Sequence, residues 1–421
     1  MFSLPTVLAM MALTASTPTQ AVDTAALVGQ KGVYSVASFG AKGDRVTDDT
    51  KAFQDALDAA GNDGGGIVFV PTGSYLIKTH LNVPKSVTLE GVFRAPTRGA
   101  GYEYAGSALL AVEGKGNADG EPFITLNQNA TLKGISIFYP EQEKDAPKPY
   151  PWCVRGFGSI TILDTIILNP WQAIDLGTNN SGKHFIKRLY AQPIFKGILV
   201  DKCYDVGRIE DVHFWPFWDE RKNGLMKFTR EHGTAFIFGR TDWEFVSGCF
   251  CIEYKTGFQF TSIKDGPGNV LVNNSGSDIG PCAVLVESTQ GHAGVAFTNC
   301  QFMAGIDIKE TNNGPVKFDN CGFWGYGKTG YHANIEGSGQ TIFNSCHFTG
   351  WDQNNEGTPA IIANGGGLMV TGCDFMAVGE KQILLGEKLK SAVITSNRLR
   401  GGMSIENKST CKAQIGLNSE E

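Results

Sequence analysis

The chain is short of charge. Asp, Glu, Lys and Arg make up 19% of its 421 residues, with 36 basic against 42 acidic side chains. A net charge of −6 carries no overall basic footprint, which excludes a chain built to bind nucleic acid through its bulk charge. Long apolar runs are missing too: no segment reaches the roughly 18 uncharged apolar residues of a membrane helix, so the mature chain is expected to be soluble, without a membrane partner. Zinc-finger spacing, EF-hand loops and calcium-binding nonapeptides are also absent, and no metal ligand is assigned from motif.

Glycine, in contrast, is plentiful. Its 53 residues are about 13% of the chain, against a usual 7% or so, and 42% of the sequence is hydrophobic. That combination predicts a folded, turn-rich protein with a large core rather than a disordered chain or a helical bundle. The run LPTVLAMMALTA at residues 4–15, followed by STPTQA, reads as a secretory signal peptide over 1–21, with cleavage near Ala21. Its start lacks the usual Lys or Arg, and the competing reading is a frayed apolar tail. Residues 22–421 then form one exported domain, extracellular or periplasmic.

Self-similarity decides the architecture. Ile135, Ile166, Leu189, Val212, Cys249, Asn274, Cys300, Cys321, Cys346, Cys373 and Asn397 recur at intervals of 21 to 37 residues, which implies about eleven stacked coils. Within a coil, stretches such as Gly197-Ile-Leu-Val-Asp and Ala283-Val-Leu-Val-Glu alternate and then meet Gly, Asn or Asp, a strand–turn–strand pattern without helices. One unit cannot bury its apolar face alone, so the coils must stack as a parallel β-helix. Cys300, Cys321, Cys346 and Cys373 each lie two residues before a Phe on the same strand face and are expected to line its interior as a column of thiols. Strand spacing of about 4.8 Å is wide for a disulfide, although bridges among Cys153, Cys203, Cys251, Cys282 and Cys411 stay open. Residues 48–60 supply a helix for the open N-terminal end, with Ala52, Phe53, Ala56, Leu57 and Ala60 on one face and Thr47 or Asp48 as its cap.

The stretch Val36-Ala-Ser-Phe-Gly-Ala-Lys-Gly-Asp-Arg-Val-Thr-Asp-Asp-Thr-Lys-Ala-Phe-Gln-Asp-Ala-Leu, followed by Gly64-Gly-Gly-Ile-Val-Phe-Val-Pro-Thr-Gly-Ser-Tyr-Leu-Ile, resembles the N-terminal module of the pectate-lyase superfamily, including its rhamnogalacturonase-like, epimerase-like and glycoside-hydrolase-28-related members. The resemblance implies an all-β, single-stranded right-handed parallel β-helix with a short capping helix, acting on polysaccharides. Its module covers 33–77, coils follow over 78–410, and 411–421 remain as a tail. The polygalacturonase pattern of Asn-Thr-Asp, paired aspartates, Gly-His-Gly and Arg-Ile-Lys has no counterpart here. Asp44, Asp48 and Asp49 read as structural acids at the helix start.

Aligning the coils gives two outward columns on one sheet. Asp175, Leu199, Ile237, Gln259, Leu285, Asp307 and Asn334 form the first; Gly177, Asp201, Gly239, Thr261, Glu287, Lys309 and Glu336 form the second. Asp175 and Asp201 become diagonal neighbours with Cα atoms roughly 8 Å apart, a spacing from which two carboxyl groups can flank a glycosidic bond. The bland reading is a pair of surface acids, and Glu287 with Lys309 reads as an exposed ion pair. The interval of 37 between Val212 and Cys249 requires a protrusion carrying Trp215, Phe217, Trp218, Asp219, Glu220, Arg230 and His232, expected as one wall of a cleft or as a loop packed on the helix exterior. Residues 183–240 hold eleven Lys plus Arg against seven Asp plus Glu on an otherwise acidic chain, which suits an anionic glycan. Trp171, Lys196, Lys202, Trp215, Trp218, Arg230, Arg240 and Trp243 are the candidate substrate contacts.

Two chemistries follow. Hydrolysis would draw its carboxylates from Asp175, Asp201, Asp219, Glu220 and Asp242. β-Elimination would use His232, Lys196 or Arg240 as the base, with Ca²⁺ as a cofactor if aspartates hold one. The absence of calcium loops favours the hydrolase. A carbohydrate-binding or adhesive β-helix without catalysis is the third reading, and it gains if Asp175, Asp201 and the 214–232 segment do not meet in one cleft.

Overall fold

Short alternating strands close a core only by sharing it with their neighbours, and a computed structural model of the protein shows the sharing. It describes residues 31–96, 102–221, 224–326 and 329–421; the expected signal peptide lies outside them. The chain winds as a right-handed parallel β-helix. One face, sheet B, stacks thirteen parallel strands from Leu81–Val83 to Ile405–Asn407. Sheet A takes a longer stretch of each coil, such as Thr161–Ile167, Phe185–Ala191 and Gly207–Phe214, and further on takes pairs such as Glu244–Ser247 with Phe250–Ile252. Thirteen exceeds the eleven coils counted from sequence because that count starts at Ile135, after the first turns.

Each sheet A stretch bends at one residue of positive φ: Asp164, Arg188, Asp211, Gly248, Asn274, Asn299, Asn320, Ser345, Gly372 and Ser396 in successive coils. Asn, Asp and Gly tolerate this left-handed region, which is why they recur there. The next residue points inward. The interior column is therefore Thr165, Leu189, Val212, Cys249, Ser275, Cys300, Cys321, Cys346, Cys373 and Asn397. Two predicted members are displaced by one place. Asn274 is the bend itself, and Ile166 faces outward into a small cluster with Leu110, Phe138 and Leu168.

The four thiols of Cys300, Cys321, Cys346 and Cys373 do line up inside, each donating to a backbone carbonyl of the coil before it. All ten cysteines are free. Beside them phenylalanines stack at the strand repeat: Phe297, Phe318 and Phe343 have ring centroids 5.0 and 5.1 Å apart and nearly parallel planes.

Helix α1, Thr50–Asn62, covers the N-terminal end with Phe53, Ala56, Leu57 and Ala60 fully buried. Asp48, one of the two expected caps, serves the helix start from the residue before the N-cap position, Asp49. Asp48 Oδ1 accepts the Thr50 N–H and hydroxyl, while Asp49 turns back to accept the N–H groups of Lys42 and Gly43 at 2.7 and 3.0 Å. A second helix, α2 (Leu225–His232), interrupts the strand-only pattern in the protrusion. Residues expected as a tail continue the coil instead: Gln414–Gly416 and Ser419–Glu420 pair with Ser391–Thr395 and Arg398–Leu399. Among the described residues no helix is long and apolar enough to cross a membrane.

Candidate functional site

Sheet B carries the two outward columns in the predicted register, with Asp175 beside Leu199, then Ile237, Gln259, Leu285, Asp307 and Asn334. What surrounds the acids is less open than expected. Asp175 is fully buried. Its Oδ2 accepts Arg155 Nε at 2.7 Å and the Thr178 hydroxyl at 2.6 Å; its Oδ1 accepts the N–H groups of Gly177 and Thr178. That pattern is a turn clamp, and it leaves the carboxylate no face toward a substrate. Asp201 lies beside Gly177 and Gly239, where any side chain on Gly239 would meet its Oδ1. It is 2% exposed and accepts the Arg240 N–H, and burial raises its pKa, aided by the charge of Asp265. Lys309 pairs with Asp307 of its own strand at 2.9 Å rather than with Glu287, which instead accepts from Gln259.

The protrusion goes elsewhere. Trp218, at 6.2 Å from Phe138, and Phe217 pack on the outer face of sheet A against Phe138, Ile166 and Tyr190, and Trp215 stacks on Phe217. Gln192 fixes the segment by accepting from Trp218 N and Asp219 N and donating to Asp219 O. Asp219 is buried and bound to Arg221; Glu220 is exposed. Helix α2 then covers the start of sheet B: Trp171 sits under Phe195 and Phe228, and His232 lies against Phe228. Lys196 stands over the Trp152 and Phe195 rings, and Lys202 donates to Thr178 O. The strand Thr234–Phe238 separates α2 from Arg240, which puts roughly 16 Å between them at about 3.3 Å per residue. Asp175, Asp201 and the 214–232 segment therefore do not share a cleft. The aromatic residues Trp215 and Trp218 belong to the helix exterior, since apolar rings gain more from sheet A's outer cluster than from water.

Beyond the far end of sheet B the turns do form a groove, of about 780 Å³, between Tyr204, Val206, Arg240, Asp242, Trp243, Gln290 and His292. The bridge between Cys203 and Thr241 holds two of these turns side by side. Trp243 is 61% exposed and Tyr204 48%. Beside Tyr204, Arg240 donates to Asp242 at 2.9 Å, with its guanidinium carbon 5.8 Å from the ring centroid. Asp242 also accepts from Gln290 at 2.7 Å, and Asn269 ties Gln290 to the Trp243 backbone. Of the sequence candidates, Arg240, Asp242 and Trp243 meet here, with Asp201 hydrogen-bonded behind Arg240. Tyr204, Gln290 and His292 escaped the sequence reading, although extending the Asp201 and Gly239 positions a few residues past the strand reaches Tyr204 and Trp243.

Arg230 lines a second groove, of about 630 Å³, on the α2 side, with Glu253, Tyr326 and Tyr331. It forms an ion pair with Glu253. Asp278, on the next coil from Glu253, has its pKa raised by burial and by that neighbour. The cationic stretch is thus largely compensated: Lys183, Lys187, Arg188, Arg221, Arg230 and Arg240 all hold acidic partners.

Residues 33–138 match the family described as rhamnogalacturonase A/epimerase, pectate lyase-like. The chain is 57% identical over 44 residues to alginate lyase 7 of Azotobacter vinelandii, covering 10% of this chain and 5% of that protein. It is 33% identical over 104 residues to the pre-neck appendage protein of Bacillus phage phi29, covering 25% and 10%. It spans a tenth or less of the length of these curated relatives. Among solved structures it resembles the bacteriophage phi29 gene product 12 N-terminal fragment, with a TM-score of 0.62 at 14% identity over 92% of this chain and 70% of that one.

Proposed function

We propose that this pectate-lyase-like right-handed β-helix is an exported protein that acts on an acidic polysaccharide, gripped in the groove between Tyr204 and Trp243. The carrying observation is Arg240, a cation fixed by Asp242 beside the Tyr204 ring, in a groove that the exposed Trp243 also lines. Rings present flat apolar faces to the C–H faces of sugars, and a guanidinium answers a uronate carboxylate with paired hydrogen bonds. Hydrolysis is the reaction we assign. Asp201, buried behind the Arg240 backbone with its pKa raised by that burial, is the acid we assign, and Asp242, already shared between Arg240 and Gln290, is the carboxylate. Names such as alginate lyase among its relatives support a uronate polymer, and the apolar run at 4–15 supports export.

The test incubates the full chain with a panel of uronate polymers and follows new reducing ends together with the ultraviolet absorbance of unsaturated uronates. Reducing ends without that absorbance, lost in Asp201→Asn and Asp242→Asn, is the expected result. The chromophore, especially if Ca²⁺-dependent, replaces hydrolysis by elimination. A second reading, glycan binding without turnover, is favoured by two observations: Asp175 is saturated, and the protrusion stands apart from the groove. It wins if the chain binds the polymers and releases nothing.

A further inference from the structure

Beneath the groove lies a buried group that no sequence motif announces. His184, Gly207 and Glu244 occupy one register position at the start of three successive sheet A strands. Gly207 stands in the middle without a side chain. A Cβ there would lie 2.2 Å from Glu244 Oε2 and 2.3 Å from His184 Cε1, so the space between the outer two strands is reserved for their side chains. The imidazole and the carboxylate fill it, with Nε2 and Oε1 2.8 Å apart. Cys203 enters the same space from the turn that follows sheet B, and one ligand atom from each of the three residues lies within 4.8 Å of the others. All three are essentially inaccessible to solvent.

We propose that His184, Cys203 and Glu244 bind a divalent transition-metal ion of the zinc class, in a buried three-ligand site supporting the floor of the groove. The donor set argues for the class. One imidazole nitrogen, one thiolate and one carboxylate suit Zn²⁺, whereas Ca²⁺ and Mg²⁺ take oxygen alone. Thiolate and carboxylate together carry two negative charges, which a divalent cation would neutralise inside the core. The outer contacts are those a ligating set needs. His184 Nδ1–H donates to Ser181 O at 2.8 Å, which turns Nε2 toward the space, and the Thr241 hydroxyl donates to Glu244 Oε2 at 2.9 Å. On binding, the Cys203 thiol proton and the proton shared between His184 Nε2 and Glu244 Oε1 leave to solvent, and bonds to the metal replace the S–H donated to Asp205 O and the Nε2–Oε1 hydrogen bond. Glu244 directly follows Asp242 and Trp243, and Cys203 directly precedes Tyr204, so the ion would tie both walls of the groove to one point.

The inference is independent of any activity, and so is its test. The full chain is stripped with chelator, given one equivalent of Zn²⁺ or Co²⁺, and dialysed against metal-free buffer. Wild type should retain about one metal ion per chain by elemental mass spectrometry. Its Co²⁺ form should show a thiolate-to-cobalt band in the near ultraviolet, and its melting temperature should rise on metal addition. Cys203→Ser and Glu244→Gln, with far-ultraviolet circular dichroism as the folding control, should lose the ion, and the serine variant should lose the band. Retention far below one equivalent, a cobalt spectrum without a thiolate band, or wild-type retention by Cys203→Ser would each overturn the site. If neither variant folds, stoichiometry and cobalt spectrum of the wild type decide.

Discussion

Replacing Asp175 by Asn separates a carboxylate that holds the coil together from one that cuts a sugar. Asn is isosteric, and its Oδ1 still accepts from Gly177 N and Thr178 N. Its Nδ2, however, now faces two donors, Arg155 Nε and the Thr178 hydroxyl, formerly bound at 2.7 and 2.6 Å. The hydroxyl can turn and accept; the guanidinium cannot. Removing one partner of a fully buried pair costs about 3–5 kcal/mol, and because Arg155 keeps 21% of its side chain in water the expected loss is lower, about 2–3 kcal/mol. At about 2.1 cal/mol/K per residue, 421 residues unfolding together carry roughly 0.9 kcal/mol/K, so the melting temperature should fall by about 3 °C. Urea titrations of wild type, Asp175→Asn, Arg155→Met and the double variant complete a cycle in which the two single losses are strongly non-additive. The reasoning is refuted if Asp175→Asn unfolds like wild type yet loses polysaccharide turnover, for then the carboxylate acts on substrate.

Trp243→Ala should weaken polysaccharide binding about three- to tenfold in affinity electrophoresis and leave the melt unchanged, because its ring is mostly in water. Trp218→Ala should do the reverse, losing about 3 kcal/mol in urea unfolding with binding intact, because its ring rests on Phe138. Phe318→Ala removes the middle ring of a three-ring stack and should cost about 3–5 kcal/mol, visible as an early unfolding phase by hydrogen exchange in the coils around it. For Asp201 the folded pKa lies above its ordinary value of 3.8, so the protonated acid persists above that pH and is lost as pH rises through the raised value. The pH profile of kcat/KM should therefore fall on its alkaline side with a group titrating above 3.8, and Asp201→Asn should abolish the activity at every pH.

The coil repeat was legible because burial enforces it. Cys300, Cys321, Cys346 and Cys373 sit where a stacked interior requires small apolar groups, and all four are buried there. The exact inward residue was not legible where two neighbours are both apolar or both turn-forming. Ile166 and Asn274 fail for that reason: periodicity fixes a coil's length, and only the left-handed bend fixes its phase. Among the site residues, Arg240, Asp242 and Trp243 follow one strand and arrive together. The 214–232 segment could be seen to protrude, but not in which direction. Its rings are drawn to the outer cluster around Phe138, whose apolar character comes from Leu110, Ile166 and Leu168 on two other earlier coils.

That same geometry explains why His184, Cys203 and Glu244 lay hidden. In a β-helix, residues that touch lie one or two coils apart, and coils here vary in length, so ligand spacing along the chain carries no fixed number for a motif to match. The informative residue is the one without a side chain. Gly207 neither terminates a helix nor opens a turn at positive φ; it sits at a strand start where its neighbours in register are a histidine and a glutamate. A Gly207→Ala substitution tests whether that reserved space matters. Its methyl would displace either the imidazole or the carboxylate, since both contacts fall well under 3.0 Å. Overpacking of this kind costs about 1–3 kcal/mol in an ordinary core. Here it should also loosen the turns at 203–206 and 241–244 together, raising hydrogen exchange on both walls of the groove while leaving α1 and the Cys300–Cys373 coils protected. Uniform destabilisation, with no concentration of exchange at those turns, would show that the space is ordinary core and that the groove floor does not depend on it.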